Sequence, residues 1–263
     1  MAMPDRKRTQ RLSPLTVSLD LTYRCGLRCG FCFVNRNAVD RESPGKATLA
    51  RASRLVEKLS EKKRCFYLAG GEPSIFPWLP DLVRLIKARG HRCLLTTNAQ
   101  GLTKASALAL AAAGLDDIEI SLHGPPDLHD KIVGKSGAFE KAAEVCRELL
   151  FLPARKRPAI SLWCTINRAN HSRLYETYLA LKAVGPEIIA FNHLTFVTKK
   201  ALARTRALFK KELGAQLGLK DTSHLARGID PAMVARQIKR IRACGDPAVR
   251  FDPNLSDRDF AAH

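Results

Sequence analysis

Short runs of the chain alternate apolar and polar residues with a period of two, and the runs between them repeat with a helical period. In residues 117–122, Ile118, Ile120 and Leu122 fall on one face and Asp117, Glu119 and Ser121 on the other. In residues 160–167, Ile160, Leu162, Cys164 and Ile166 oppose Ser161, Trp163, Thr165 and Asn167, and Val17, Leu19 and Leu21 likewise oppose Ser18, Asp20 and Thr22. These patterns predict strands over residues 15–23, 64–70, 92–97, 117–122, 159–167 and 187–196. Helices are expected over 48–62, 79–89, 103–113, 138–152 and 174–184, with Gly90, Gly114 and Gly185 as stop signals. The repeated unit is βα, which predicts parallel strands joined by right-handed crossovers.

Strands of a parallel sheet covered by helices on both faces read as near-continuous apolar runs. These do not. Their apolar face can pack on an outer layer of helices, while the face bearing carboxylates and hydroxyls must line something wet or ligand-filled. The expected fold class is therefore α/β, a partial (β/α)6 barrel with a polar interior. After the sixth strand, residues 199–213 and 231–243 read as two basic helices joined by polar chain over 214–228, followed by the short apolar piece Val249, Arg250, Phe251 before Pro253. The expected division is a barrel over residues 1–198 and a basic helical extension over 199–263.

Composition narrows the class. The chain has 263 residues, 46% hydrophobic and 26% charged, which excludes disordered, collagenous and small disulfide-stapled proteins. Its apolar stretches, such as residues 105–115, fall well short of the roughly 20 residues that span a bilayer, and no apolar segment follows the basic start at Arg6, Lys7 and Arg8. A cytoplasmic protein with no membrane partner is expected. The net charge of +19 favours anionic partners. Residues 199–242 hold 12 Lys and Arg against the acidic Glu212, Asp221 and Asp230, which reads either as a solvated helix surface or as a site for nucleic acid or a phosphorylated ligand.

Of eight cysteines, Cys65, Cys93, Cys146, Cys164 and Cys244 are scattered singly and read as small hydrophobes. Cys25, Cys29 and Cys32 instead share one short segment just after the first strand, the rim of an α/β barrel where active sites are built. Three thiolates in one loop can ligate an iron-sulfur cluster, with Gly26 and Gly30 easing the wrap of the backbone. Zinc is the competing metal, but a structural zinc normally takes four ligands, and no fourth Cys or His lies near in sequence.

The spacing CxxxCxxC at Cys25, Cys29 and Cys32, with Phe31 before the last cysteine, resembles the cluster motif of the radical S-adenosylmethionine (radical SAM) enzymes. Leu68-Ala69-Gly70-Gly71-Glu72-Pro73 resembles that family's GGEP motif, Thr96-Thr97-Asn98 its TTN segment, and Ile120-Ser121-Leu122-His123-Gly124 its SLHG segment. Residues 127–139 and 165–170 look like stretches of the SPASM/twitch branch, and the resemblance covers about residues 15–196. It implies a [4Fe-4S] cluster on Cys25, Cys29 and Cys32 with one iron left for S-adenosylmethionine (SAM). It also implies cofactor contacts from Phe31, Gly70, Gly71, Glu72, Thr97, Asn98 and Ser121, Glu72 bringing negative charge close to the methionine ammonium. The implied chemistry is reductive cleavage of SAM to a 5′-deoxyadenosyl radical that abstracts hydrogen from an unactivated carbon of a peptide or small biosynthetic intermediate. The electron would come from a flavodoxin- or ferredoxin-type donor.

SPASM/twitch members carry further cysteines beyond the barrel, where this sequence has Cys244, so the auxiliary-cluster domain of that branch is expected to be either absent or cut short, with residues 249–254 resembling a lead-in to it. Asn192 and His193 could face substrate, Lys135 and Arg168 could meet the cofactor carboxylate, and Glu119 could sit inside the barrel. Two other functions remain open: a radical SAM methyl or group transferase, acting on RNA through the basic tail, and a non-catalytic iron-sulfur or zinc protein.

Overall fold

The computed structural model describes residues 16–32, 48–216 and 219–256, so Arg6, Lys7, Arg8 and Leu15 lie outside the described residues. The elements run β1 (Thr16–Thr22), α1 (Leu49–Lys58), β2 (Cys65–Gly70), α2 (Leu79–Ala88), β3 (Arg92–Thr97), α3 (Lys104–Ala112), β4 (Asp117–Ser121), α4 (Pro126–Val133), α5 (Ala138–Leu150), β5 (Ala159–Ile166), α6 (Leu174–Val184), β6 (Ile188–His193), α7 (Lys199–Leu213), α8 (Pro231–Arg242) and β7 (Val249–Asp252). The strands form one sheet in the order β1-β2-β3-β4-β5-β6-β7, every neighbouring pair parallel. This is the open, partial α/β barrel that the alternation predicts.

The apolar faces of the strands make the core. Leu19, Leu68, Leu95, Ile120, Leu162 and Phe191 are buried in one cluster with Leu82, Val83 and Ile86 of α2, Ala142, Ala143 and Cys146 of α5, and Leu181 of α6. Burying such a side chain is worth about 1.5–3 kcal/mol each, enough to hold helices whose own propensity is modest. The opposite face is polar and holds its own network. The Tyr67 hydroxyl on β2 donates to Oε2 of Glu119 on β4 at 2.9 Å, and the Thr96 hydroxyl on β3 donates to the same oxygen at 2.7 Å. On β5, Trp163 Nε1 donates to the Ser161 hydroxyl at 2.9 Å. Burial raises the Glu119 carboxyl and the Tyr67 phenol above their ordinary ranges.

Two elements go beyond the sequence expectation. The helix α4 begins at Pro126, which fits the first helical turn because its missing N–H has no partner there, and stops at Gly134, whose φ of 68° closes the left-handed cap. The strand β7 is four residues long and gains its place by pairing with β6, Phe251 stacking on Phe191 with ring centroids 5.6 Å apart. Residues beyond 198 therefore contribute a strand to the sheet, and Val234, Ile238 and Ile241 of α8 join the main core. By contrast α7 buries Leu202 alone and exposes Leu208 and Leu213 among its lysines and arginines. Among the described residues no helix is long and apolar enough to cross a membrane.

Candidate active site

The C-terminal ends of β1 and β2 stay hydrogen-bonded past the strands themselves. A register shift between Asp20 and Thr22 brings Thr22 opposite Gly70. Gly71 N–H then donates to the Thr22 carbonyl at 2.5 Å and Glu72 N–H to the Arg24 carbonyl at 2.9 Å. So close an approach leaves no room for a side chain. A Cβ on Gly70, whose φ is 119°, would strike the Thr22 carbonyl, and one on Gly71 would strike the Arg24 carbonyl and lie 2.7 Å from the Tyr23 carbonyl carbon. Gly26 and Gly30 do not play the part expected of them: neither has a positive φ, and a Cβ on either would meet nothing within 4 Å. The tight backbone is at the glycine pair that closes β2, and the cysteine loop turns without it.

That loop is held from the other side by α4. Arg28 N–H donates to the Val133 carbonyl at 2.9 Å, and Leu27 is buried among Leu128, Ile132, Val133 and Ala138, with Cys25, Cys29 and Phe31 packed against them. Cys25 Sγ accepts hydrogen bonds from Leu27 N–H at 3.4 Å and from Asn98 Nδ2 at 3.3 Å. Burial, with Cys32 and Cys25 close by, pushes the Cys29 thiol up to about 12, and burial also raises Cys25.

Glu72 is buried, 2% exposed, with its carboxylate set among donors from the loops after β2 and β3. Its Oε1 accepts from Ser74 N–H at 3.0 Å and from the Thr97 hydroxyl at 2.5 Å, and its Oε2 accepts from Asn98 N–H at 2.7 Å. Burial raises its carboxyl above the usual range while these donors oppose the shift. The carboxylate is a strut between the loops after β2 and β3, and the short turn at Pro73–Ile75 starts on it.

A cavity of about 190 Å³ opens between these loops. Its walls include Cys25, Cys29, Cys32 and Phe31 from the cysteine loop, Gly70 and Gly71, Thr96, Thr97 and Asn98, Ser121 and His123 after β4, and Thr165 on β5. The three expected cluster cysteines and, apart from Glu72, the cofactor contacts implied by the resemblance thus line one hollow. Lys135, Asn192 and His193 do not line it, and Arg168 lines a neighbouring hollow of about 440 Å³ that shares Phe31. The basic residues of 199–242 are spread over α7, α8 and the chain between them, with the Arg240 guanidinium 3.7 Å from the centre of the Tyr175 ring.

His123 and Thr165 lie within the SLHG-like segment and the 165–170 segment, whose pattern assigns them no role. The His123 ring meets Phe31 edge-on at 4.8 Å between centroids. Its Nδ1 accepts from Thr165 N–H at 3.2 Å, and the His123 main-chain N–H donates to Nδ1 of His129 at 3.0 Å. Burial pushes the two imidazoles down to about 3 and about 4. Both rings are neutral at pH 7, with the proton on Nε2. Fully buried Asn170 holds this corner, donating from Nδ2 to the His123 carbonyl at 2.8 Å and the Thr165 carbonyl at 2.9 Å.

A sequence model of the radical SAM superfamily matches residues 19–150, from the first strand to the end of α5. The chain belongs to the radical SAM superfamily. It is 36% identical over 138 residues to the PqqA peptide cyclase of Ruegeria pomeroyi, covering 52% of this chain and 37% of that protein. It is 29% identical over 195 residues to the pre-heme d1 synthase of Dinoroseobacter shibae, covering 73% of this chain and 47% of that one. In fold it is similar to Streptococcus suis SuiB crystallised with S-adenosylmethionine, at a TM-score of 0.63 and 16% identity over 90% of this chain and 50% of that one. The chain spans half or less of the length of these three proteins.

Radical SAM enzymes use a [4Fe-4S] cluster and SAM, and the cavity lining brings three thiols together with the hydroxyl, amide and main-chain groups that such a pair requires. Burial disfavours the thiolate forms of Cys25 and Cys29, and a positive centre beside them would restore them. In a cluster each iron takes its own thiolate, and the three cysteines that line this cavity can each supply one.

Proposed function

We propose that Cys25, Cys29 and Cys32 hold a [4Fe-4S] cluster with SAM beside it, and that the chain directs radical chemistry at an unactivated C–H bond of a peptide or small biosynthetic intermediate. One observation carries this reading: the three cysteines, the bare glycine pair, Thr97, Asn98 and Ser121 line a single cavity at the strand ends. Held by Cys25, Cys29 and Cys32, the cluster would supply the electron that breaks a carbon–sulfur bond of SAM, with methionine as leaving group and a 5′-deoxyadenosyl radical for hydrogen abstraction.

The chain's own part is to bind, orient and exclude. Gly70 and Gly71 offer main-chain atoms to a ligand ammonium at the cavity wall, held there by the close approach to Thr22 and Arg24 that the missing Cβ atoms allow. The Ser121 hydroxyl offers a donor and an acceptor to the ribose or carboxylate, and Phe31 offers a ring face to adenine. Glu72 acts through Thr97 and Asn98, fixing the loop that carries them. Neutral His123 adds a buried donor without adding charge. Leu27 and Val133 form a dry flank against water. The polar inner face with Tyr67, Thr96 and Glu119 gives a substrate hydrogen-bonding partners.

Likeness to a peptide cyclase supports a peptide substrate, and likeness to the pre-heme d1 synthase supports a small intermediate. A chain with net charge +19 suits an acidic electron donor of the flavodoxin or ferredoxin type, drawn in by long-range attraction. The test is cluster-dependent binding of SAM. Anaerobic reconstitution should load iron and sulfide in equal amounts, and equilibrium dialysis should then show SAM retained by the loaded protein and lost in the Ser121→Ala variant. Iron bound without sulfide, or SAM binding indifferent to the cluster, would overturn the reading.

A further inference from the structure

The Asn98 amide faces a cysteine. Its Nδ2 lies 3.3 Å from Cys25 Sγ, and its orientation is set by what surrounds it. Asn98 Oδ1 accepts from Gln100 N–H at 3.0 Å, so a flipped amide would put oxygen against sulfur and NH2 against an N–H. The main chain is anchored on both sides as well. Asn98 N–H donates to the buried Glu72 carboxylate at 2.7 Å, and the Asn98 carbonyl accepts from Gln100 Nε2 at 3.3 Å, a group that also donates to the Ala138 carbonyl at 3.0 Å. A donor held this firmly is in place before any ligand arrives.

We propose that Asn98 is a positioning residue for the cluster, raising its reduction potential through the hydrogen bond to the Cys25 sulfur, with Glu72 and Gln100 holding the amide in place. The inference rests on the reading that Cys25 ligates the cluster. A hydrogen bond to a ligating sulfur draws off electron density and favours the form carrying more negative charge, which is the reduced one. The Glu72 carboxylate thus serves the cluster at one remove: it fixes the loop after β3, and that loop aims a donor at the first cysteine. The three sequence motifs meet physically in this chain of contacts, from the glycine-rich segment through Asn98 to Cys25.

The test is a potentiometric titration of the reconstituted full chain under anaerobic conditions, following the electron paramagnetic resonance of the reduced cluster. Asn98→Asp keeps the shape and the Gln100 contact but removes the donor and adds a charge, and Asn98→Ala removes the donor alone. At the wild-type midpoint, where reduced and oxidised forms are equal, Asn98→Ala should cut the ratio of reduced to oxidised cluster by about threefold and Asn98→Asp by about tenfold. These correspond to downward shifts of about 30 and 59 mV for one electron. Should Asn98→Asp fail to take up iron, Asn98→Ala carries the measurement. Lower iron content with an unchanged midpoint in the clusters that remain would make Asn98 merely structural and overturn the proposal, as would unchanged midpoints in both variants. A wild-type chain that takes up no cluster would overturn the functional reading, and this inference with it.

Discussion

Replacing Gly71 by alanine tests the geometry of the rim. A Cβ there would press on the Arg24 carbonyl oxygen and lie 2.7 Å from the Tyr23 carbonyl carbon and 2.8 Å from the Arg24 carbonyl carbon. Every one of these atoms is backbone, so no side-chain rotation relieves the contact. The loop leading to Cys25 and the loop after β2 have to part, straining the bonds from Gly71 N–H to Thr22 and from Glu72 N–H to Arg24. Overpacking of this kind costs about 1–3 kcal/mol. In a chain of this size each kcal/mol lowers the melting temperature by about 2–4 °C, so the expected drop is about 2–12 °C. Gly30→Ala provides the contrast, because a Cβ there meets nothing within 4 Å and the φ of Gly30 is not positive. Thermal unfolding followed by circular dichroism reads both variants. A Gly71→Ala protein as stable as wild type, or a larger loss in Gly30→Ala, would refute the assignment of the tight backbone to the glycine pair.

Other residues make sharper or pH-dependent statements. Glu72→Gln turns an acceptor of three hydrogen bonds into a group with an NH2 facing a donor, leaving one buried donor unpaired. It should cost about 1–3 kcal/mol in urea unfolding at pH 8, and no loss would contradict the strut. Burial raises the Glu119 carboxyl, so its contribution is fully present below the ordinary 4.5 and is lost as pH rises through the folded value. Glu119→Gln should therefore gain stability relative to wild type between pH 4.5 and pH 8, and a constant gap in melting temperature across that range would refute it. Burial lowers His129 from 6.5 to about 4, so its contribution is present above pH 6.5 and is lost as pH falls toward 4, by roughly 3 kcal/mol. His129→Asn should lose less stability than wild type between pH 7 and pH 5 in denaturant titrations, and an equal loss would show that the imidazole is not the sensitive group.

Much of the fold can be read from the alternation in residues 117–122 and 160–167, because a strand with one apolar and one polar face can satisfy both only between helices and an open interior. The cysteines, the glycine pair and Ser121 are legible because their spacing puts them at successive strand ends on the same rim. The orientation of Glu72 is not. Whether its carboxylate meets a ligand or turns inward depends on hydrogen bonds to Thr97 and Asn98, 25 and 26 residues away, which no local pattern encodes. The pair β6 and β7 escapes notice for the same reason, since a strand of four residues owes its stability to a partner distant in sequence. Gly26 and Gly30 show the opposite error: a glycine in a tight motif is not always where the backbone is tight.

The central claim is that one cavity holds a cluster on Cys25, Cys29 and Cys32 and cleaves SAM there. Its most direct test is anaerobic: reconstitute the chain with iron and sulfide, reduce it, add SAM, and measure 5′-deoxyadenosine beside a Cys29→Ala control. The account predicts 5′-deoxyadenosine from the wild-type chain and none from the variant. A cluster-loaded, reduced wild-type chain that forms no more 5′-deoxyadenosine than Cys29→Ala would contradict it.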